Sequence, residues 1–158
     1  YVMRVGEPAH DAQRDAEYTS ELADRIVRDY RHDNVAMSTH LVGLSLFRLL
    51  SRKNPELDLY RVLRTGGDSP SVPASELISE TERVLDALKS QNGGPRLGAE
   101  LTTRDPSAIV EDALRHFGTY HTRRAAVRRG DRVFHEDRNL LLYYGNRLRG
   151  YELGRKLS

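Results

Sequence analysis

Met37, Leu41, Leu44, Phe47 and Leu50 recur at three- and four-residue intervals, which places all five on one side of an α-helix. This stripe fixes a helix over residues 35–52 whose apolar side needs other elements to cover it. Asn54 and Pro55 end it, because the residue before a proline is pushed out of the helical region. Ser38, Thr39, His40, Ser45 and Arg48 interrupt the run, and no stretch approaches the roughly 18–20 apolar residues that cross a bilayer. The reading is a buried amphipathic helix.

The rest of the chain follows the same period, with one exception near its end. Residues 1–5 read as a short strand by their β-branched and aromatic content, stopped by Gly6, Glu7 and Pro8. A helix is expected over 11–31, with Tyr18, Leu22, Ile26 and Tyr30 along one side, and a short one over 56–64. Gly66, Gly67, Ser69, Pro70, Ser71 and Pro73 mark residues 65–73 as a linker. Ser75 is expected to cap a helix through about 90 on Leu77, Ile78, Val84, Leu85 and Leu88. Asp105 and Pro106 form an N-cap with proline at the first helical position, opening a helix that Gly118 ends. Two strands, at 125–128 and 132–135, are expected to be joined across Arg129, Gly130 and Asp131, and Asp137 caps a last helix. The expected fold is therefore mainly α with a small β component: a helical segment with an amino-terminal strand and a late β-hairpin. Residues 1–64, the linker 65–73 and residues 74–158 are the expected divisions.

Composition narrows the chemistry. The 158 residues contain no cysteine, which excludes a disulfide framework and a thiolate metal site. The chain opens on Tyr1 without a basic start and apolar stretch of the signal-peptide kind, and is expected to be a piece of a longer protein. The formal net charge is +2, unevenly spread: residues 121–132 hold Arg123, Arg124, Arg128, Arg129 and Arg132 against one acid, Asp131. Such a patch attracts phosphate groups.

Catalytic motifs are sparse. His10 and Asp15 match the His-x4-Asp spacing in which an imidazole activates a hydroxyl and an aspartate orients it. Both fall where a helix is expected, and a five-residue helical step sets two side chains roughly 140° apart, so they cannot meet. No catalytic residue is assigned. His10, His32, His40, His116, His121 and His135 show no metal-ligand spacing with a carboxylate, and His40 reads as a hydrogen-bonded core residue. No metal or cofactor is expected.

Three regions together resemble the bacterial-type glycerol-3-phosphate acyltransferase family. Tyr1 to Pro8 is similar to that family's last acyltransferase block, a strand ending in Gly-x-Pro. Asn34 to Leu41 resembles the family's helix after an Asn-bearing turn. Val72 to Ile78 and, most specifically, Asn139 to Leu148 with its Tyr143-Tyr144-Gly145-Asn146 run resemble its later region, where such a motif opens a helix after a hairpin. The resemblance implies that the whole enzyme transfers a fatty acyl group from acyl-CoA or acyl carrier protein to glycerol 3-phosphate. It implies peripheral attachment to the cytoplasmic face of the inner membrane, and catalytic residues upstream of Tyr1 in a domain this segment supports. Gly6, Glu7 and Pro8 are the residues it assigns to substrate binding. Arg123, Arg124, Arg128 and Arg129 are the expected contacts to an anionic membrane surface. Tyr143 and Tyr144 are expected to pack against the preceding helices.

The helix and basic hairpin between Asp105 and His135 also have the outline of a winged helix, in which the same four arginines would hold a nucleic-acid backbone. Of its helix, Arg115 and His116 alone are placed to read bases. Nucleic acid is no partner in the preferred reading.

Overall fold

A computed structural model describes residues 12–65, 70–91, 94–151 and 153. The elements run α1 (Ala12–Asp33), β1 (Val35–Ala36), α2 (Ser38–Lys53), α3 (Leu59–Thr65), β2 (Ser71–Pro73) and α4 (Ala74–Lys89). They continue with β3 (Arg96–Leu97), α5 (Ala99–Thr103), α6 (Pro106–His116), β4 (Ala126–Arg129), β5 (Arg132–His135) and α7 (Arg138–Arg149). The protein is mainly helical with a small β component, as its periodicities require. The amino-terminal strand expected at residues 1–5, together with Gly6, Glu7, Pro8 and His10, lies outside the described residues.

Helix α2 is the centre of the fold. It packs most extensively on α7 and also on α4 and α6. Leu41, Val42, Leu46, Leu49 and Leu50 are buried along it, so apolar side chains serve almost its full circumference. One core cluster draws on Leu41 and Leu44 of α2, Leu77 and Val84 of α4, Ile109 and Ala113 of α6, and Leu141 and Leu148 of α7. Residues on both sides of 65–73 thus share one core. A second, smaller cluster joins Phe47 and Leu50 to Val62 of α3.

The helix ends follow local chemistry. The Asp105 carboxylate accepts the Ala108 amide at 2.9 Å, and that of Asp137 accepts the Leu140 amide at 3.1 Å. At α2, residues 35–36 form a strand instead of a first turn, and the helix starts at Ser38. The His40 ring takes the Met37 amide at 3.3 Å. At α4, Ser75 lies inside the first turn rather than at the cap. Pro73 is the capping residue, and the Ala74 amide is taken by the Asp131 carbonyl at 2.7 Å. Strand β2 leads directly into this helix, and the hairpin turn supplies the acceptor for its first amide.

The segment expected to be a linker carries β2 at residues 71–73. It pairs antiparallel with β5, Val72 opposite Val133, giving a three-stranded sheet in the order β2-β5-β4. Arg132 fixes the pairing by donating to the Ser71 hydroxyl at 2.8 Å. The hairpin β4–β5 turns on Gly130 and Asp131, with Arg129 paired to Arg132 and Gly130 at φ 64°. Positive φ of that kind favours glycine. A second, two-residue pair, β1 with β3, runs parallel.

Helix α1 departs most from globular expectation. Tyr18, Leu22, Ile26 and Tyr30 form the stripe the sequence shows, yet they are 56%, 43%, 46% and 76% exposed. Its other sides alternate acids and bases, as in the Arg25–Asp29 pair. Among the described residues, no helix is long and apolar enough to cross a membrane.

Candidate functional site

Asn34, at the exit of α1, joins the start of the α2 region to the end of α7. Its side-chain amide donates to the Arg147 carbonyl at 3.0 Å and to the Tyr151 hydroxyl at 3.1 Å. Its own carbonyl accepts the Arg96 amide at 3.1 Å, which holds β3 beside β1. Behind this junction Gly43 of α2 faces Tyr144 and Gly145 of α7 at backbone distance. A groove of about 620 Å³ opens there, lined among others by Tyr30, Asp33, Asn34, Asn146, Arg147 and Tyr151. Its polar groups are two amides, two phenols, one acid and one guanidinium, a set able to hold a polar or charged ligand. His40, near this junction, is held below its ordinary pKa first by burial and then by the Arg147 charge. It is hydrogen-bonded, as expected, but half-buried at the edge of the core rather than within it.

Two buried carboxylates tie the helices together. Asp112 of α6 accepts from the Ser38 hydroxyl at 2.7 Å and from the Arg104 guanidinium at 2.7 Å, and His116 stands 3.6 Å from it. Burial raises the Asp112 pKa, but the hydrogen bonds from Ser38 and Arg104 and the nearby His116 outweigh it, so the group is held below its ordinary value. Ser38 and His116 address the same carboxylate. The serine proton therefore goes to Asp112, and the trio is a clamp on the start of α2 rather than a nucleophile with its base. On the other side of α2, Glu80 of α4 is 2% exposed and takes Arg48 at 2.9 Å, Arg52 at 2.5 Å and Arg83 at 3.2 Å. Sequence reading missed both acids. The signal was present: each interrupts an apolar stripe, Glu80 between Leu77 and Val84, and Asp112 between Ile109 and Ala113.

The four arginines expected to meet anions divide into two pairs. Arg128 bonds the Glu111 carboxylate and, at 2.9 Å, the Gly130 carbonyl. Arg129 bonds Glu136 at 2.9 Å and lies 5.0 Å over the Phe134 ring. Arg123 and Arg124 are exposed and make no ion pair among the described residues. They belong to the loop 118–124, closed at its base by the Ala125 amide on the Phe117 carbonyl at 3.4 Å. Tyr144 is buried against Phe117, as expected, whereas Tyr143 is 52% exposed. His121 of the loop meets both tyrosines edge to face, with centroids 5.9 Å from Tyr143 and 5.7 Å from Tyr144.

Asp15 lies in the first turn of α1, and its expected partner His10 is not among the described residues. Among the described residues no group of three histidine or acidic side chains is placed to hold a metal ion. A scan against protein-family models finds no match, and searches of curated proteins and of solved structures find none.

Proposed function

We propose that this chain is the carboxy-terminal part of a glycerol-3-phosphate 1-O-acyltransferase and braces a catalytic domain carried elsewhere in the same polypeptide. That enzyme would move a fatty acyl group from acyl-CoA or acyl carrier protein to the 1-hydroxyl of glycerol 3-phosphate at the cytoplasmic face of the inner membrane. The supporting observation is the bond between Asn34 and the end of α7. Two stretches far apart in sequence, each resembling that family, meet as one packed unit. Asn34, Asn146, Arg147 and Tyr151 line a groove together, which suits a docking or ligand-holding role. The chemical step is assigned to none of the described side chains.

The test is turnover. The natural protein containing this chain, given labelled glycerol 3-phosphate with acyl-CoA or with acylated carrier protein, should form 1-acylglycerol 3-phosphate. The 158 residues alone should form none. No turnover by the natural protein with either donor overturns the reading.

A second reading, a nucleic-acid-binding module of winged-helix type, has one observation in its favour. Strand β2 joins the late hairpin: α3, β2, α4, α6, β4 and β5 follow in that order, with β3 and α5 inserted between α4 and α6, and the sheet is arranged β2-β5-β4. Against it, the helix that would read bases carries Glu111 and Asp112, and Glu111 neutralises the hairpin's own Arg128. Phosphate contact requires free basic groups at those positions. A fold outline is by itself weak ground for function.

A further inference from the structure

We propose that the loop 118–124, with Tyr143 beside it, is an interfacial patch that docks onto an anionic lipid surface. This deepens the peripheral-membrane part of the reading above but stands apart from acyl transfer, because binding is measured without turnover. It also moves the contact away from the β4–β5 hairpin.

Charge is the first ground. From Ala113 to Gly130 the sequence holds Arg115, His116, His121, Arg123, Arg124, Arg128 and Arg129 and no acid. The two hairpin arginines are occupied by Glu111 and Glu136, which reach them from outside that stretch. Arg123 and Arg124 keep their charge facing solvent, where an anionic surface adds attraction. The Arg124 stem lies across Gly118, where a methyl group would come within 2.8 Å of its Cγ, so the side chain is laid along the loop.

Exposed aromatics are the second ground. Tyr120 of the loop is 87% exposed, and Tyr143, 52% exposed, belongs to the aromatic cluster that Tyr144 and Phe117 anchor in the core. A tyrosine with an apolar ring and a wet hydroxyl suits the headgroup level of a membrane. Single-stranded nucleic acid also takes arginine with aromatics, but it needs open ring faces for stacking. Here Tyr143 is packed edge to face with His121 and Tyr144, so of the two exposed tyrosines only Tyr120 offers open faces, fewer than the successive platforms a strand uses. A protruding tyrosine beside two unengaged arginines fits a flat, negatively charged surface better.

The experiment is co-sedimentation of the chain with phosphatidylcholine vesicles, with and without phosphatidylglycerol. Binding should require the anionic lipid. Arg123→Gln with Arg124→Gln should weaken it about 25-fold, from a fivefold contribution per arginine. Arg128→Gln with Glu111→Gln, which removes a hairpin ion pair at constant net charge, should leave it within about twofold. The chain contains no tryptophan, so Tyr120→Trp gives a single fluorophore whose emission should shift to the blue on anionic vesicles alone. Circular dichroism confirms that each variant is folded. No binding to anionic vesicles, equal losses from the loop and hairpin pairs, or tighter binding to a single-stranded oligonucleotide than to vesicles overturns the proposal.

Discussion

Gly43 of α2 and Gly145 of α7 meet backbone to backbone: a methyl group on Gly145 would stand 3.1 Å from Leu44 Cα and 3.5 Å from the Gly43 carbonyl carbon. A methyl on Gly43 would fall 2.9 Å from Tyr144 Cβ. Neither neighbour is the free end of a flexible side chain. Two helices approach this closely only where both lack a Cβ, which is why α2 and α7 share the largest interface in the fold.

Gly43→Ala should therefore destabilise the protein. Alanine gains about 1 kcal/mol of helix propensity over glycine, and overpacking costs about 1–3 kcal/mol. The expected net loss is about 1 kcal/mol, read as a lower urea midpoint. Gly145→Leu cannot be absorbed by a small shift and should cost more than Gly43→Ala. A more stable Gly145→Leu variant would contradict the close approach.

Glu80→Ala should cost about 3 kcal/mol, because it leaves arginine charge unpaired beside a buried site. Arg83→Ala should cost about 0.5 kcal/mol, since Arg83 is 52% exposed and joins Glu80 from the solvent side. Denaturant unfolding of the two variants should separate these magnitudes; equal small losses would show that Glu80 is dispensable.

Asp112 makes stability depend on pH. Its folded pKa lies below the unfolded one, so its contribution is full above the unfolded value, about 4, and is lost as pH falls through the folded value. Asp112→Asn should cost about 1–3 kcal/mol at neutral pH. The gap between wild type and variant should narrow on acidification below about pH 4. A gap that widens there would reverse the sign assigned to Asp112.

At the hairpin tip, Gly130→Ala should lower stability by about 1–2 kcal/mol, the strain of an L-residue in the left-handed region. No atom lies within 4 Å of the added methyl, so the loss measures backbone conformation alone. Gly130→Asn should lose less, because asparagine tolerates that region. Equal melting temperatures for all three proteins would argue against φ 64° at this position.

How much of this was legible in the sequence depended on the range of the interaction. The caps at Asp105 and Asp137 were readable because donor and acceptor lie three residues apart. The α2 stripe was readable because its period is local. Strand β2 was not. Ser71, Val72 and Pro73 pair with Phe134, Val133 and Arg132, and nothing near residue 71 announces partners so far along the chain. The local signal was proline, serine and glycine, which spelled a linker. The same limit governs charge. Arg128 and Arg129 looked free because acids were sought among their neighbours, whereas Glu111 and Glu136 arrive through folding. Periodicity located the stripe of α1 but could not show whether anything covers it; in the described residues its tyrosines face solvent.

The pairing of α2 with α7 also sets a timetable. Helix α2 is made before its principal partner, α7, which follows every other described element. Until Leu141, Tyr144 and Leu148 are made, Leu41 and Leu44 lack their largest cover, and a nascent chain carries an oily helix that α4 and α6 cover only in part. A chaperone that shields short apolar stretches during synthesis would find its binding site there.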